Sequence, residues 1–516
     1  MNQGPATAIT DGLRAWARQH PQRCALDDGR QRVSYGTLNA VVGDLAHWLR
    51  RALPEPAARA PAVGLLLRSP VTLLEALCAA AVAGGAAMVL DPTWSAVELS
   101  AVLGATPPEV LLTDHAGAER VAGMVPGPRV HLLGDAPGQP LGGPCSDVPL
   151  PAVPGERAFY VGFTSGTTGT PKGFVRSHAS WVASFTAAAS AIRIRPGDVV
   201  LAPGPLQHSL FCFAAVHALS VGAEVHVRQR FAPGEVMDLL ARVPVGHLYA
   251  VPSMLAALAR PGPQRGGSIT GAGAARVRTV ISSGAPLAPR DERRIVALFP
   301  GARVVEFFGA SELSFVTARQ RGDSTPRGSV GRPFPGVELA IRDDAGGELG
   351  PREAGYVHVR SPMVFSGYLH DADALADRPS TPAAWISVGD IGWCDDEGYL
   401  FLLGRDGNMV LSGGINIYPE EVEAVLRGLP QVADAAVVGL PDPARGELLC
   451  AVIVWRPGET LPRSALRGHC RSQLAPAKRP RRYLVAEDLP RTASGKISRP
   501  ALRAAILAGT AIAEPL

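Results

Sequence analysis

Short runs rich in β-branched residues alternate with Ala- and Leu-rich stretches through about the first 400 residues, a pattern typical of layered α/β domains. This alternation restricts the fold more than any other feature of the chain. The candidate strands are Glu109 to Thr113, Ala223 to Arg228, Val277 to Ser282 and Arg303 to Phe308. The last run ends on a Gly-containing turn with polar residues, which is where ligand sites of α/β sheets tend to lie.

The chain has 516 residues, which is longer than one hydrophobic core usually organises, so we expect more than one domain. From Gly404 a Gly-punctuated segment leads into a predicted helix from Pro419 to Leu429. Strands near Ala435 to Val438 and Leu448 to Val454 would follow, with helices after Arg463 and after Arg499. We therefore predict a large N-terminal α/β domain (residues 1–404), a hinge (405–408) and a small mobile α+β C-terminal domain (409–516).

Composition and charge exclude several classes of protein. Hydrophobic residues make up 47% of the chain and charged residues 19%, as in ordinary folded proteins, and the formal charge of +4 gives no reason to expect a nucleic-acid partner. Seven cysteines without CxxC pairs favour a reducing, cytoplasmic compartment. The most apolar stretch, Thr72 to Leu90, is interrupted by Glu75, so we expect no membrane span.

The stretch TSGTTGTPKG, Thr164 to Gly173, is the strongest indication of function. Its glycines let the backbone approach an oligophosphate, its hydroxyls and amides can donate to phosphate oxygens, and Lys172 adds positive charge. It follows an apolar run and precedes a plausible helix, which predicts a strand–loop–helix context. Pro171 and Gly173 stand where a Walker loop needs its second glycine and its magnesium-binding hydroxyl, which argues against an ordinary P-loop NTPase. The candidate phosphate-binding residues are Thr164, Ser165, Gly166, Thr167, Thr168, Gly169 and Lys172.

This loop resembles the phosphate loop of the adenylate-forming superfamily of acyl-CoA synthetases, peptide-synthetase adenylation domains and beetle luciferases. Further motifs of that superfamily follow in its order along nearly the whole chain, from Tyr35 and the LDP at Leu90 to Pro92 through PRTASGKISR at Pro490 to Arg499. The resemblance implies that the chain binds ATP and Mg²⁺ and activates a carboxylic acid.

Two motifs resemble those that hold the base and the phosphates. SSGAPL, Ser282 to Leu287, is similar to the loop that packs against adenine, with Gly284, Ala285 and Pro286 at its centre. In FFGASE, which contains Gly309, the resemblance implies that Phe308 stacks on the base, Ser311 contacts the α-phosphate region and Glu312 binds magnesium. An aromatic face suits a purine, and a carboxylate oxygen suits Mg²⁺.

Two more motifs resemble those around the ribose and the reacting carboxylate. VGDIG places Asp390 where a carboxylate would accept from both ribose hydroxyls, and Arg405 matches an arginine that also holds the ribose or a phosphate. Lys496 matches the lysine that reaches the carboxylate and the α-phosphate. Such a cation is needed because two anions must meet and charge accumulates on phosphorus. The implied catalytic residues are Lys496, Glu312 and Lys172.

The resemblance also implies that the small C-terminal domain rotates between two half-reactions. Rotation would withdraw Lys496 and bring in the segment Leu411 to Asn416, whose Ser412, Gly413 and Gly414 form the thiol-side loop. The hinge position is Gly407, where glycine allows wide backbone freedom.

The stretch Pro205 to Leu219 occupies the place of the motif that lines the acyl pocket, and His208 matches a histidine or aromatic residue of acyl-CoA synthetases. Amino-acid-activating relatives carry an Asp there, but no acid lies between Gly204 and Gly222. We therefore predict a neutral acid without an α-amino group, because an unpaired ammonium is costly to bury. Phe307 and Trp181 are further candidate pocket residues.

The sequence thus predicts an AMP-forming ligase that makes an acyl-adenylate, releases pyrophosphate and transfers the acyl group to a thiol, first of all that of CoA. A carrier-protein phosphopantetheine, an amine or another small nucleophile remains an alternative acceptor. An inactive nucleotide- or acyl-binding relative is a second alternative. Such a relative would be expected to have lost reacting residues, whereas Lys172, Glu312, Asp390, Arg405 and Lys496 are all present here. We expect a monomer or a homodimer.

Overall fold

The structure is a computed structural model that divides into two compact units. The first comprises Met1–Thr325, Arg332–Glu338 and Val359–Ile386, and the second comprises Pro326–Gly331, Leu339–His358 and Ser387–Leu516. The residues described are 7–54, 59–124, 129–133, 150–164, 171–259, 274–287, 289–371, 373–377, 384–412, 415–442, 446–492, 495–510 and 514–515.

Five of the ten described helices of the first unit begin at a side chain that accepts a hydrogen bond from the first turn. Ser34, Ser69, Ser95, Asp114 and Ser177 each accept from the backbone N–H three residues later, which satisfies one of the donors that a helix start leaves unpaired. The helices of the described residues are α1 (Asp11–Gln19), α2 (Tyr35–Ala52), α3 (Pro70–Ala83), α4 (Ala96–Ala105), α5 (His115–Val121), α6 (His178–Ala191), α7 (Ser209–Ser220), α8 (Pro233–Arg242), α9 (Pro252–Leu258), α10 (Pro289–Leu298), α11 (Pro419–Arg427), α12 (Arg463–Gln473) and α13 (Arg499–Ala508).

The strands are short and several are buried along their whole length, as expected for sheets covered on both faces. They are β1 (Cys24–Asp27), β2 (Arg32–Ser34), β3 (Ala62–Leu66), β4 (Ala86–Val89), β5 (Val110–Thr113), β6 (Arg129–Leu132), β7 (Ala158–Thr164), β8 (Lys172–Ser177), β9 (Val199–Ala202), β10 (Glu224–Val227), β11 (His247–Ala250), β12 (Thr279–Ser282), β13 (Arg303–Ala310), β14 (Ser314–Gln320), β15 (Arg332–Pro333), β16 (Glu338–Arg342), β17 (Gly355–Arg360), β18 (Gly367–Tyr368), β19 (Asp390–Cys394), β20 (Leu400–Arg405), β21 (Val410–Ser412), β22 (Ile415–Ile417), β23 (Val432–Asp442), β24 (Gly446–Trp455), β25 (Arg482–Val485) and β26 (Glu514–Pro515).

Two mainly parallel sheets organise the first unit. One has the order β15-β14-β13-β12-β11-β9-β10-β1-β2, and the other has the order β18-β8-β7-β4-β3-β5-β6. In the first sheet β14 runs antiparallel to β13, and in the second β8 runs antiparallel to β7. The first reversal occurs at the FFGASE motif and the second at the TSGTTGTPKG motif. These two predicted site segments therefore lie where the parallel part of each sheet ends in an antiparallel pair.

The most apolar part of the sequence forms the buried helix α3. Every one of its residues is buried, from Pro70 at its start to Ala83, and it ends at Gly84 with φ of 83°, a conformation that favours glycine. A helix that is apolar on every face except at Glu75 belongs in a core. Across the part of the chain that the structure describes, no helix has both the length and the apolar character needed to cross a bilayer.

The second unit contains most of the sheet β16-β17-β19-β20 and the sheet formed by β21 to β26. Strands β23 and β24 form its longest hairpin, and their two faces belong to separate apolar clusters, one with helices α11 and α12 and one with helix α13. Helix α13 is also fixed by a buried ion pair. Arg499 donates to both carboxylate oxygens of Glu423, at 2.9 and 2.8 Å, and Glu423 is 1% exposed.

These elements confirm the predicted fold class, α/β with a large N-terminal domain and a smaller α+β C-terminal domain. The predicted strands and C-terminal helices are present, with ends shifted by a few residues. The strand–loop–helix context of TSGTTGTPKG is wrong: strand β8 follows the loop, and α6 begins only at His178. The aromatic and β-branched residues of β8 pair with β7 instead. The hinge at 405–408 and the C-terminal rotation stay predictions.

Removal of the buried cation should destabilise the second unit. Arg499→Met removes the cation closest to the buried Glu423 carboxylate and leaves only the Val437 N–H and Arg427, whose Nη1 lies 3.6 Å away, which should lower the free energy of unfolding by about 3 kcal/mol. Arg503→Met on the same helix is the matched control, because it removes a neutral acceptor contact with the Gly439 carbonyl at 2.8 Å and a Glu447 contact of 3.4 Å between side chains that are 43% and 30% exposed, together about 1 kcal/mol. Chemical denaturation of the full chain measures both, and equal losses would contradict this account.

Candidate active site

The predicted phosphate loop connects two paired strands. Strand β7 ends at Thr164 and β8 begins at Lys172, and these two residues are partners in the antiparallel ladder. The side chain of Lys172 is exposed, and that of Thr164 is half-buried. Ser165, Gly166, Thr167, Thr168 and Gly169 lie outside the described residues. The two ends of the loop are therefore fixed by backbone pairing within the sheet.

A tyrosine joins the lysine of this loop to the predicted magnesium ligand. The Lys172 Nζ lies 3.3 Å from the centre of the Tyr368 ring, close enough for a cation–π contact. The Tyr368 hydroxyl donates to the Glu312 Oε1 at 3.4 Å, and strand β18 places Tyr368 opposite Phe174 of β8. Lys172 and Glu312, 140 residues apart in the sequence, thus contact the ring face and the hydroxyl of one side chain.

The turn that carries Glu312 has little room for change. Gly309 forms part of an irregularity in the β13–β14 ladder, and a Cβ atom there would lie 1.9 Å from the Ser314 carbonyl oxygen. Ser314 itself has φ of 60°, a conformation that costs free energy in a residue other than glycine. The Glu312 carbonyl accepts from the Phe365 N–H at 2.7 Å, and Glu312 is 7% exposed. The backbone that carries the carboxylate is therefore fixed.

Ser311, the predicted α-phosphate contact, is held from two directions. Its hydroxyl lies 2.9 Å from the Ser209 hydroxyl at the start of α7, and its carbonyl accepts from the Arg176 Nη1 at 3.2 Å. Arg176 is 3% exposed. Burial lowers the pKa of its guanidinium to about 9, while Tyr160 and Glu312 act in the opposite direction.

The predicted adenine loop follows β12 directly. Gly284 has φ of 94°, and Gly284, Ala285 and Pro286 are all exposed. The loop is tied to the sheet at its end, because the Leu287 N–H donates to the Glu306 Oε2 at 3.2 Å. Burial raises the pKa of Glu306, and the Arg319 guanidinium opposes this through hydrogen bonds of 3.1 and 3.0 Å. Phe308, two residues beyond Glu306 on β13, is half-buried.

The predicted pocket residues lie around one aromatic cluster of the first unit. Phe307 contacts Phe315 with ring centres 4.6 Å apart, Phe315 contacts Phe213 at 5.1 Å, and Phe213 contacts Trp181 at 5.6 Å. Trp181 is 2% exposed, whereas Phe307 is half-buried. His208 is half-buried at the start of α7, one residue before Ser209.

The predicted ribose residues are neighbours in the second unit. Asp390 begins β19 and Arg405 ends β20, and the two are partners in the antiparallel ladder. The Arg405 Nε lies 3.1 Å from the Asp390 Oδ1, with 46% of the arginine side chain and 15% of the aspartate side chain exposed. A paired carboxylate that remains partly exposed can still accept from hydroxyls, as the ribose assignment requires.

Lys496 is exposed at the end of a small hairpin that is anchored on both sides. The Thr492 N–H donates to the Lys496 carbonyl at 2.8 Å, and Arg491 pairs with Ile497 as an isolated bridge. On one side the Arg491 Nη2 lies 2.6 Å from the Asp434 Oδ2, and on the other Arg499 makes the buried pair with Glu423. The arginines of PRTASGKISR therefore fix the backbone that carries the lysine.

Two further predicted positions belong to the second unit. The Ser412 hydroxyl donates to the Glu447 carbonyl at 2.6 Å, while Gly413 and Gly414 lie outside the described residues. Gly407 is exposed in a short 3₁₀ turn, Asp406–Asn408.

Sequence reasoning missed Arg176, Ser209 and Tyr368. Arg176 gave a local signal, since it is a charged residue within the apolar run of β8. The contacts of all three span long separations, such as the 135 residues between Arg176 and Ser311, so no local pattern reveals them.

The ring of Tyr368 should orient Lys172 for phosphate. Tyr368→Leu removes the cation–π contact and should weaken ATP binding by roughly fivefold, because the lysine must then be ordered on binding. Tyr368→Phe keeps the ring and should retain affinity within about twofold. Equilibrium binding of ATP measures both. Equal losses in the two variants would assign the effect to the hydroxyl, and no loss would contradict the role of the ring.

Comparison with known proteins identifies the family of the chain. Residues 13–369 match the AMP-binding enzyme family, and residues 421–496 match the AMP-binding enzyme C-terminal domain. The uncharacterized acyl–CoA ligase YhfT of Bacillus subtilis (strain 168) is 36% identical over 493 residues, which cover 95% of this chain and 97% of that protein.

Solved structures are similar over nearly the whole chain. ATP-bound MatB from Rhodopseudomonas palustris has a TM-score of 0.82 at 27% identity, covering 95% of this chain and 98% of that chain. The amide bond synthetase McbA from Marinactinospora thermotolerans has a TM-score of 0.83 at 28% identity, covering 96% and 99%. The chain belongs to the AMP-binding enzymes of the adenylate-forming superfamily, as the sequence motifs predict.

Proposed function

We propose that this enzyme is an AMP-forming acyl-CoA synthetase whose substrate is a carboxylic acid without an α-amino group. One observation carries the proposal: Lys172, Ser311 and Glu312, assigned separately from two motifs, are linked through Tyr368 and the β13–β14 turn. The similarity to the acyl–CoA ligase YhfT supports CoA as the acceptor. The absence of an acid between Gly204 and Gly222 supports the substrate class.

The reaction first joins two anions, the carboxylate and ATP, and then replaces AMP by a thiolate. A carboxylate oxygen attacks the α-phosphorus of ATP, the bond to the β-phosphate breaks, and pyrophosphate leaves with its electron pair. The thiolate of CoA then attacks the acyl carbon, and AMP leaves. In this assignment Lys172 binds the phosphates, Ser311 donates to the α-phosphate, Asp390 accepts from the ribose, and Lys496 stabilises the charge that accumulates on phosphorus.

The residues present fit a magnesium ion. Mg²⁺ is usually held by one or two carboxylates together with substrate phosphates, and Glu312 supplies one carboxylate beside the predicted phosphate lysine. When bound, the ion would neutralise charge on the phosphate oxygens. Fixing of the Glu312 backbone by Phe365 would keep that carboxylate oriented before the nucleotide arrives.

A second acceptor class has a specific observation in its favour. The amide bond synthetase McbA is as similar in structure as MatB, so transfer to an amine is an alternative to transfer to CoA. Transfer to a carrier-protein phosphopantetheine would use the same adenylation site. All these acceptors retain the first half-reaction.

The remaining assignments concern the whole protein. Rotation about Gly407 would exchange Lys496 for the segment around Ser412 between the half-reactions, with the C-terminal domain beginning near residue 409. We propose a reducing cytoplasmic setting, which the scattered cysteines without CxxC pairs favour. We propose a monomer or a homodimer.

Lys496→Ala should separate the two half-reactions. Pyrophosphate exchange should fall by roughly two to three orders of magnitude, because one transition-state donor is lost. Thiolysis of a supplied acyl-adenylate should survive. Lys478→Ala is the matched control among the chain's three lysines, since Lys478 is engaged with both oxygens of Glu421 and should leave exchange unchanged. An equal fall in both half-reactions would contradict the role given to Lys496.

Pyrophosphate release with MgATP across aliphatic, aromatic and amino acids identifies the substrate and the acceptor. Turnover on an acid without an α-amino group that rises strongly with CoA is the expected result. Release that is indifferent to CoA but rises with amines would favour amide synthesis. Release on amino acids alone would contradict the reading of the pocket, and no release on any acid would favour an inactive relative.

A further inference from the structure

Arg176 is a buried cation that the two-step reaction described above does not use. It lies in β8, four residues after Lys172, and is 3% exposed. Its guanidinium extends towards helix α6 and the β13–β14 turn. The Nε donates to the Ser180 hydroxyl at 3.0 Å, and the Nη2 donates to the Ser180 carbonyl and the Ser184 hydroxyl, each at 3.3 Å.

The same guanidinium reaches the turn that carries Glu312. Its Nη1 donates to the Ser311 carbonyl at 3.2 Å, so one planar group joins α6 to the residue before Glu312. The planar fork of arginine suits such a task, because its donors have fixed relative directions. A lysine ammonium is a point charge without that fork.

Serine contacts complete the attachment of the turn. The Ser184 hydroxyl, which accepts from Arg176, lies 2.8 Å from the Ser314 hydroxyl at the far end of the turn. The Ser311 hydroxyl lies 2.9 Å from the Ser209 hydroxyl of α7. Both ends of the turn are therefore connected to helices through a network that has Arg176 at its centre.

The cost of burying this charge indicates that the position has a use. Each acceptor that the described residues offer to the guanidinium is a neutral oxygen of Ser180, Ser184 or Ser311. A buried cation without a carboxylate in contact is expensive. Glu312 is near enough to act on it electrostatically, raising its pKa against the effect of burial. The charge thus lies within the electrostatic reach of the predicted magnesium ligand.

We propose that Arg176 is a positioning residue for the adenylation half-reaction, which holds the Ser311–Glu312 backbone so that the Glu312 carboxylate is placed for Mg²⁺ bound to ATP. The inference rests on the proposed function, since it uses the assignment of Glu312 to magnesium. It adds a residue outside the motifs that assign the site. Thiolysis needs no contact with the pyrophosphate-side metal and should depend on Arg176 much less.

The test compares ATP binding with and without metal. For each variant the dissociation constant of ATP is measured in Mg²⁺ and in EDTA, and their ratio reports how well Glu312 is placed. Arg176→Met should reduce the metal preference by roughly tenfold, as for the loss of one charge-assisted hydrogen bond. Arg176→Lys, which keeps the charge and loses the fork, should fall between Arg176→Met and the wild type. Pyrophosphate exchange should fall with the ratio, while thiolysis of a supplied acyl-adenylate stays within about threefold of the wild type.

Arg157→Met is the matched control, because Arg157 is also buried in the first unit but pairs with Asp377 at 3.0 Å. It should lose stability without a change in metal preference. A folded Arg176→Met with the wild-type ratio would overturn the inference, as would equal losses in both half-reactions. If Arg176→Met does not fold, a wild-type ratio in Arg176→Lys overturns it equally. A wild-type enzyme without any metal preference would instead defeat the magnesium assignment on which the inference rests.

Discussion

Close backbone approach at the β13–β14 turn is the constraint on which the site depends. Gly309 leaves no space for a side chain because the Ser314 carbonyl oxygen occupies it, and Ser314 takes up a left-handed conformation to complete the reversal. Between them lie Ser311 and Glu312, to which the proposed reaction assigns the α-phosphate and magnesium contacts. A longer loop without this close backbone contact would leave the orientation of these side chains less restricted. Here they are held at the cost of local backbone strain.

The second physical theme is the placement of charge. The reaction brings a carboxylate to a polyphosphate, so the protein must supply cations whose positions are set in advance. Lys172 lies over the ring of Tyr368, and Lys496 sits on a hairpin fixed by Arg491 and Arg499. Each cation is thus positioned by a neighbour that is itself packed or paired. Such support reduces the ordering that substrate binding must otherwise supply.

Sequence reasoning predicted most of what depends on local pattern. Buried strands such as β12 and amphipathic helices such as α11 have periodicities that are visible in the residues themselves. The sequence pattern predicts a helix directly after the loop and does not reveal strand β8, because the strand is six residues long, contains Arg176 and runs directly into α6. The motifs predict site roles for Glu312, Asp390 and Lys496. They could not reveal that Tyr368 joins Lys172 to Glu312, because that contact depends on β18 pairing with β8 far along the chain.

The central claim is that the carboxylate oxygen of the substrate becomes bonded to the α-phosphorus of ATP. The most direct measurement uses the best acid substrate with both carboxylate oxygens replaced by the heavy isotope, followed by mass spectrometry of the nucleotide released in the presence of CoA. Attack on the α-phosphorus and later cleavage of the acyl–oxygen bond predict AMP that carries one heavy oxygen. Unlabelled AMP, or ADP with the label in inorganic phosphate, would contradict activation through an acyl-adenylate.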